Sequence, residues 1–187
     1  MRSVLAALLV LAVLIAPGTA PNGARAAGIE VGVAVADITP PPGYRMSGYF
    51  HERLATGVHD PLKAKALVLV EGDRQAALVF CDIIGLSPDV SARARRLAEE
   101  KTGIPASNIM IAATHSHTGP LYFGALRKHF HDLAVAEHGN DPHEKVDYAG
   151  RLVEKLVEAI AAARTAAGPV QQEPAQAGMV GEGFEPP

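Results

Sequence analysis

Ile109-Met110-Ile111-Ala112-Ala113-Thr114-His115-Ser116-His117-Thr118-Gly119-Pro120 decides how the rest of the chain is read. Five apolar residues run up to a threonine and two histidines one residue apart, and a Gly-Pro pair follows closely. As a strand, the run places Ile109, Ile111 and Ala113 on one face and Met110 and Ala112 on the other. Because side chains alternate with period two, His115 and His117 point the same way as the chain leaves the sheet. Gly119-Pro120 is expected to turn the backbone away and leave both imidazoles at the sheet edge, where open α/β sheets take their ligands. Neutral imidazole is a common zinc ligand, so the pair is a start for a metal site, although zinc needs at least three protein donors. The competing reading is two loop histidines satisfied by backbone carbonyls.

Upstream of that strand, Ser87-Pro88-Asp89 opens a helix running to about Thr102. Its inward stripe is Val90, Ala94, Leu97 and Ala98, and Gly103 stops it. Lys63 to Val70 and Arg74 to Asp82 are two apolar segments joined by Glu71-Gly72-Asp73, the pattern of a β-hairpin. Strand, helix, strand in this order predicts a crossover unit with parallel pairing. Asp82 leaves the second hairpin strand at a sheet edge, either to orient a liganding imidazole or as an ordinary turn cap. Ile29 to Ile38 reads as a further strand, with Ile29, Val31, Val33 and Val35 on one face and close backbone packing on the Gly32/Ala34 side. Pro40-Pro41-Pro42-Gly43 ends it and opens an irregular segment through Asp60 that holds Tyr44, Tyr49, Phe50, His51 and His59.

Downstream, Leu121 to Gly139 has helical stretches and a second His-x-His, His129-Phe130-His131. Residues two apart on a helix face different directions, so this pair is read as a solvated face rather than a chelate. Asp141-Pro142 is expected to cap a helix over roughly His143 to Ala167, with Val146, Leu152, Leu156 and Ile160 buried. Gly168-Pro169 ends it, and Ala175 to Val180 reads as one more strand. The fold class is therefore α/β, a mixed β-sheet with packed helices and a His-x-His at a strand's C-terminal end.

Ala113 to Pro120 resembles the Ala-Thr-His-Thr-His-Ser-Gly-Pro signature of the neutral/alkaline (non-lysosomal) ceramidase family. Ala36-Asp37-Ile38-Thr39, Met46-Ser47-Gly48-Tyr49 and Gly57-Val58-His59-Asp60-Pro61 resemble the same family in the same order. The similarity covers about Gly28 to Gly124 and continues more weakly to Gly183. It implies a zinc-dependent amidase that cleaves the N-acyl bond of ceramide to a sphingoid base and a fatty acid. By the same resemblance His115 matches the first zinc ligand and His117 lies near the reacting carbonyl in a catalytic role. The family's other ligands and its serine match no position in this stretch. The resemblance thus implies that residues 28–187 are the N-terminal portion of an incomplete catalytic domain, whose partner is ceramide or a related N-acyl lipid met at a membrane surface. Two other readings stay open: a non-catalytic fragment of that domain, and another zinc or iron hydrolase using His115 and His117 together, with Asp82 or His59 completing the ligand set.

Residues 1–27 read as a secretory signal peptide. Arg2 supplies positive charge, Val4 to Ala16 is an apolar run, and Ala24-Arg25-Ala26 offers a small-x-small cleavage site. The expected location is secreted or periplasmic. Without Arg2 and Arg25, 15 of the 17 basic residues remain against 20 acidic ones, a mature charge of about −5. With no Lys/Arg block, nucleic-acid binding has no support. Cys81 is the only cysteine, so no internal disulfide can form, and its apolar setting reads as a buried filler.

Overall fold

A computed structural model of the chain describes residues 28–170. Its framework is a five-stranded sheet built from β1 (Glu30–Asp37), β2 (Lys63–Glu71), β3 (Arg74–Cys81), β4 (Ile109–Ala113) and the two-residue β5 (Gly168–Pro169). In space the order is β4-β3-β2-β1-β5. β2 and β3 form the expected antiparallel hairpin, with Glu71 opposite Arg74 and Gly72 at φ 56° in the turn. β3 and β4 run parallel, Cys81 beside Ala113, so both strands end at the same sheet edge. The connection between them is α1 (Pro88–Thr102) followed by one 3-10 turn (Ala106–Asn108). Ser87 caps α1 by accepting the Val90 amide at 3.3 Å, and Gly103 closes it in the left-handed region at φ 75°.

Two more helices complete the described residues, α2 (Gly124–His138) and α3 (Tyr148–Thr165). The sequence places the start of the last helix near His143; in the structure it begins at Tyr148. Asp141 spends its carboxylate on a turn, accepting the His143 amide at 3.0 Å, and Asp147 is the cap, accepting from Gly150 at 2.9 Å. Gly168-Pro169 does more than end α3, because it pairs antiparallel with Val31 and Glu30 as an edge strand. The expected strand at Ala175 to Val180 lies outside the described residues, as does the signal peptide. Among the described residues, no helix is long and apolar enough to cross a membrane.

Helices α1 and α3 cover one face of the sheet. Val90, Ala94 and Ala98 meet Leu152, Leu156, Ile160 and the inward residues Ala66, Val68, Ala77 and Val79 in one core. The close approach expected at Gly32 is real: a Cβ there would lie 1.9 Å from the Ala163 carbonyl oxygen. Tyr148 ties helix to sheet, its buried hydroxyl donating to the Ile38 carbonyl at 2.5 Å. The opposite sheet face carries Val33, Val35, Phe80 and Met110, all exposed. Near-continuous apolar runs in β2 and β3 follow from this, since both of their faces are apolar.

Candidate functional site

Because β3 and β4 end together, their exits run side by side. The Thr114 amide donates to the Cys81 carbonyl at 2.9 Å and the Ser116 amide to the Ile83 carbonyl at 3.1 Å. Keeping both bonds turns the residue between them: His115 has φ 64°, the one positive φ outside glycine among the described residues. Side chains then alternate about the loop. His115 and His117 line one cavity of about 330 Å³, and Thr114, Ser116 and Thr118 line a groove of about 640 Å³ on the other side. The two imidazoles thus share a direction as expected, with ring centroids 5.1 Å apart.

Each imidazole is held differently. Nδ1 of His115 lies 2.9 Å from the Ile84 carbonyl oxygen. A carbonyl only accepts, so Nδ1 carries the hydrogen and Nε2 of the neutral ring keeps its lone pair. His117 is placed through its backbone and Cβ. Gly48, at φ 102°, lies so near that a Cβ on it would be 2.5 Å from the His117 Cβ. Gly119-Pro120 does not simply turn away: Ser47 donates both its amide, at 2.8 Å, and its hydroxyl, at 3.0 Å, to the Gly119 carbonyl. Met46 bridges Pro120, and the antiparallel pair Arg45 and Leu54 makes residues 45–54 a hairpin whose tip bears Tyr49 and Phe50. That tip, with Ile84, Tyr122, Phe123 and Leu126, gives the cavity an apolar wall around the histidines.

Asp82 does not orient an imidazole. Its Oδ2 accepts the Lys63 amide at 3.0 Å and its Oδ1 faces the Thr114 hydroxyl, on the groove side of the loop. His59 is almost fully exposed, pairs with Asp60 at 2.7 Å, and lines that same groove rather than the cavity. Burial pushes the Cys81 thiol up to about 12, so it holds no thiolate near neutral pH.

Sequence reasoning missed one cluster. Arg45, 1% exposed, donates to Glu52 at 2.6 Å, to Asp141 at 2.6 Å and to Glu144 at 3.3 Å. Arg127 also holds Glu144, and His131 Nδ1 lies 2.8 Å from Asp141. His131 is therefore half-buried and paired, not part of a solvated face; His129 is exposed as expected. His131, Asp141 and Glu144 are the one group of three among the described residues whose ligand atoms come together. Two guanidiniums already neutralise both carboxylates, so the group is built as an ion-pair network and not for a divalent cation. Burial pushes the Asp141 carboxyl up, but the Arg45 hydrogen bond, the His143 amide and His131 outweigh it and hold it down at about 2. No signal in the sequence links Arg45 to a carboxylate 96 positions on.

The donor set at the histidines fits zinc in type but not in number. His115 offers a free, oriented Nε2 and His117 stands beside it, while no carboxylate or thiol lines their cavity.

The family model described as neutral/alkaline non-lysosomal ceramidase, N-terminal, matches residues 29–173. Among solved structures, the neutral ceramidase from Pseudomonas aeruginosa superposes with a TM-score of 0.60 at 25% identity, over 76% of this chain and 22% of that one. A ceramidase complexed with C2 gives a TM-score of 0.58 at 24% identity over the same shares. The chain thus spans about a fifth of the length of these structures, and no curated protein sequence matches it. Four ordered sequence motifs, a mixed α/β sheet like that of the neutral ceramidases, and a family match over most of its length agree: the chain belongs to the neutral/alkaline non-lysosomal ceramidase family.

Proposed function

We propose that this chain contributes to a zinc-dependent amide hydrolase acting on N-acyl lipids of the ceramide type, with His115 as a metal ligand and His117 facing the reacting carbonyl. The observation behind this reading is the His115 hydrogen bond. A ring whose Nδ1–H is fixed on a backbone carbonyl presents a pre-oriented Nε2, the arrangement that metal-binding histidines adopt. A bound zinc would polarise the amide carbonyl and lower the pKa of a coordinated water. His117, its ring centroid 5.1 Å from that of His115, would donate a hydrogen bond where negative charge develops on the carbonyl oxygen. The apolar wall of Ile84, Tyr122, Phe123 and Leu126 suits a hydrocarbon chain laid beside the two exposed histidines. Two imidazoles fall short of zinc's three donors, so turnover needs further ligands beyond those described. The substrate is insoluble and is met at a membrane surface, and the protein is exported through its N-terminal apolar segment, to a secreted or periplasmic location.

A second reading, that both histidines ligate one ion, is favoured by the 5.1 Å ring separation. Zinc content after dialysis, measured by mass spectrometry on the parent, His115→Ala and His117→Ala, separates the two. Loss with His115→Ala alone supports the proposal, and loss with either variant supports joint ligation. A parent that retains no zinc overturns both.

A further inference from the structure

We infer that Arg53 is a positioning residue of this site, clamping the Tyr49 wall of the apolar cavity and the His117 loop into one unit. The inference rests on His117 belonging to the site proposed above. One Nη2 of Arg53 donates to the His117 carbonyl at 2.7 Å and to the Ser47 carbonyl at 3.0 Å. Those two acceptors lie on different segments, the loop after β4 and the hairpin over residues 45–54. The same guanidinium lies over the Tyr49 ring, 3.8 Å from its centroid, and the Tyr49 ring meets the His117 ring edge-on at 6.2 Å.

The chemistry explains why arginine stands there. A planar guanidinium presents several donors in one plane while its face stays weakly hydrated, so it can bond carbonyls and stack on a ring at once. A lysine ammonium can do one or the other. The clamp is also distinct from the hairpin's other anchor. Arg45, at the hairpin base, engages carboxylates of the segment before α3 and touches neither histidine. Arg53's bonds go to the backbone of the two segments that carry the site, and its Nε is buried without a partner. Gly48 lets the hairpin close to contact with His117, and Arg53 keeps it there.

The test is nuclear magnetic resonance of the metal-free chain with labelled histidine and tyrosine rings, comparing the parent with Arg53→Met and Arg53→Lys. The expected result for Arg53→Met is loss of the Tyr49–His117 ring contact and a shift of the His117 ring nitrogens. His115 should keep its Nδ1-protonated form, and His143, bonded to the Gly43 carbonyl at 3.2 Å, should not move. Arg53→Lys should recover part of the His117 shift without restoring the Tyr49 contact. Unchanged His117 and Tyr49 signals in Arg53→Met overturn the inference, as do equal shifts at His115, His117 and His143, which would report general loosening. Should Arg53→Met not fold, the same comparison is made on Arg53→Lys, where a retained Tyr49–His117 contact overturns it. No step of this test needs zinc or turnover, so a failure of the proposed function leaves its result standing.

Discussion

Replacing Gly48 with alanine should cost far more than replacing Gly43, although both glycines sit at positive φ in the same segment. Gly43 has φ 83° and open space where a Cβ would go. Its alanine variant feels only the left-handed backbone, about 1–2 kcal/mol. Gly48 has φ 102° and would put its Cβ 2.5 Å from the His117 Cβ. That contact is well inside van der Waals distance, and the His117 backbone cannot retreat easily because Arg53 holds its carbonyl. Overpacking of this kind adds about 1–3 kcal/mol, for a total of roughly 2–5 kcal/mol. In a domain of this size each kcal/mol moves the melting temperature by about 3 °C. The expected losses are therefore roughly 3–6 °C for Gly43→Ala and 6–15 °C for Gly48→Ala. Thermal unfolding followed by circular dichroism reads both. Equal melting temperatures for the two variants would refute the claim that the hairpin is packed directly on the histidine loop.

Asp141 should carry an acid-dependent share of stability. Its folded-state carboxyl is held at about 2, below its ordinary 3.8, so the contribution is present above pH 4 and is lost as pH falls through 2. Urea unfolding from pH 5 to 2 should show an acid limb about 2 kcal/mol shallower in Asp141→Asn than in the parent; superimposable limbs would remove Arg45 from the account. His131→Ala should retain as much zinc as the parent where His115→Ala does not, because Arg45 and Arg127 already occupy the carboxylates around His131.

The elements legible in the sequence were those fixed by local chemistry. Ser87 and Gly103 bracket α1 with a hydroxyl cap and a left-handed stop, whereas His115 and His117 come to line one cavity through a left-handed turn at His115 that strand alternation does not contain. The hairpin followed from the short Glu71-Gly72-Asp73 turn and the parallel crossover from the strand-helix-strand order. What stayed hidden depends on partners distant in sequence. Asp141 beside Pro142 has the form of a helix cap, yet Arg45 and the His143 amide claim its oxygens and the helix is capped by Asp147 and starts at Tyr148. Asp82 at a strand end looks like a partner for an imidazole, but the Lys63 amide of the neighbouring strand reaches it first. The role of Gly48 was likewise invisible, since a glycine in a loop shows nothing of what will lie against it. His115 has one ambiguity of its own: the carbonyl satisfaction that competes with metal binding in the sequence is present, and it is also what orients a ligand nitrogen.

His115 is where fold and site meet, and the two place opposite demands on it. The hydrogen bonds from Thr114 and Ser116 to the exit of β3 hold residue 115 at φ 64°. For a residue with a Cβ that conformation costs about 1–2 kcal/mol, and glycine adopts it freely. The Nδ1 bond to the Ile84 carbonyl returns about 1 kcal/mol. Stability alone would thus accept glycine here, and a strained non-glycine residue at a strand end is what the metal-ligand role proposed above calls for. His115→Gly should leave the melting temperature within a few degrees of the parent, since relief of strain offsets the lost hydrogen bond. His115→Ala keeps the strain and loses the bond, so it should melt about 3 °C or more below His115→Gly. Both should lose zinc. An alanine variant more stable than the glycine variant would show that the backbone at this position is relaxed, and that the imidazole sits at the strand end for packing and not for the ligand it can hold.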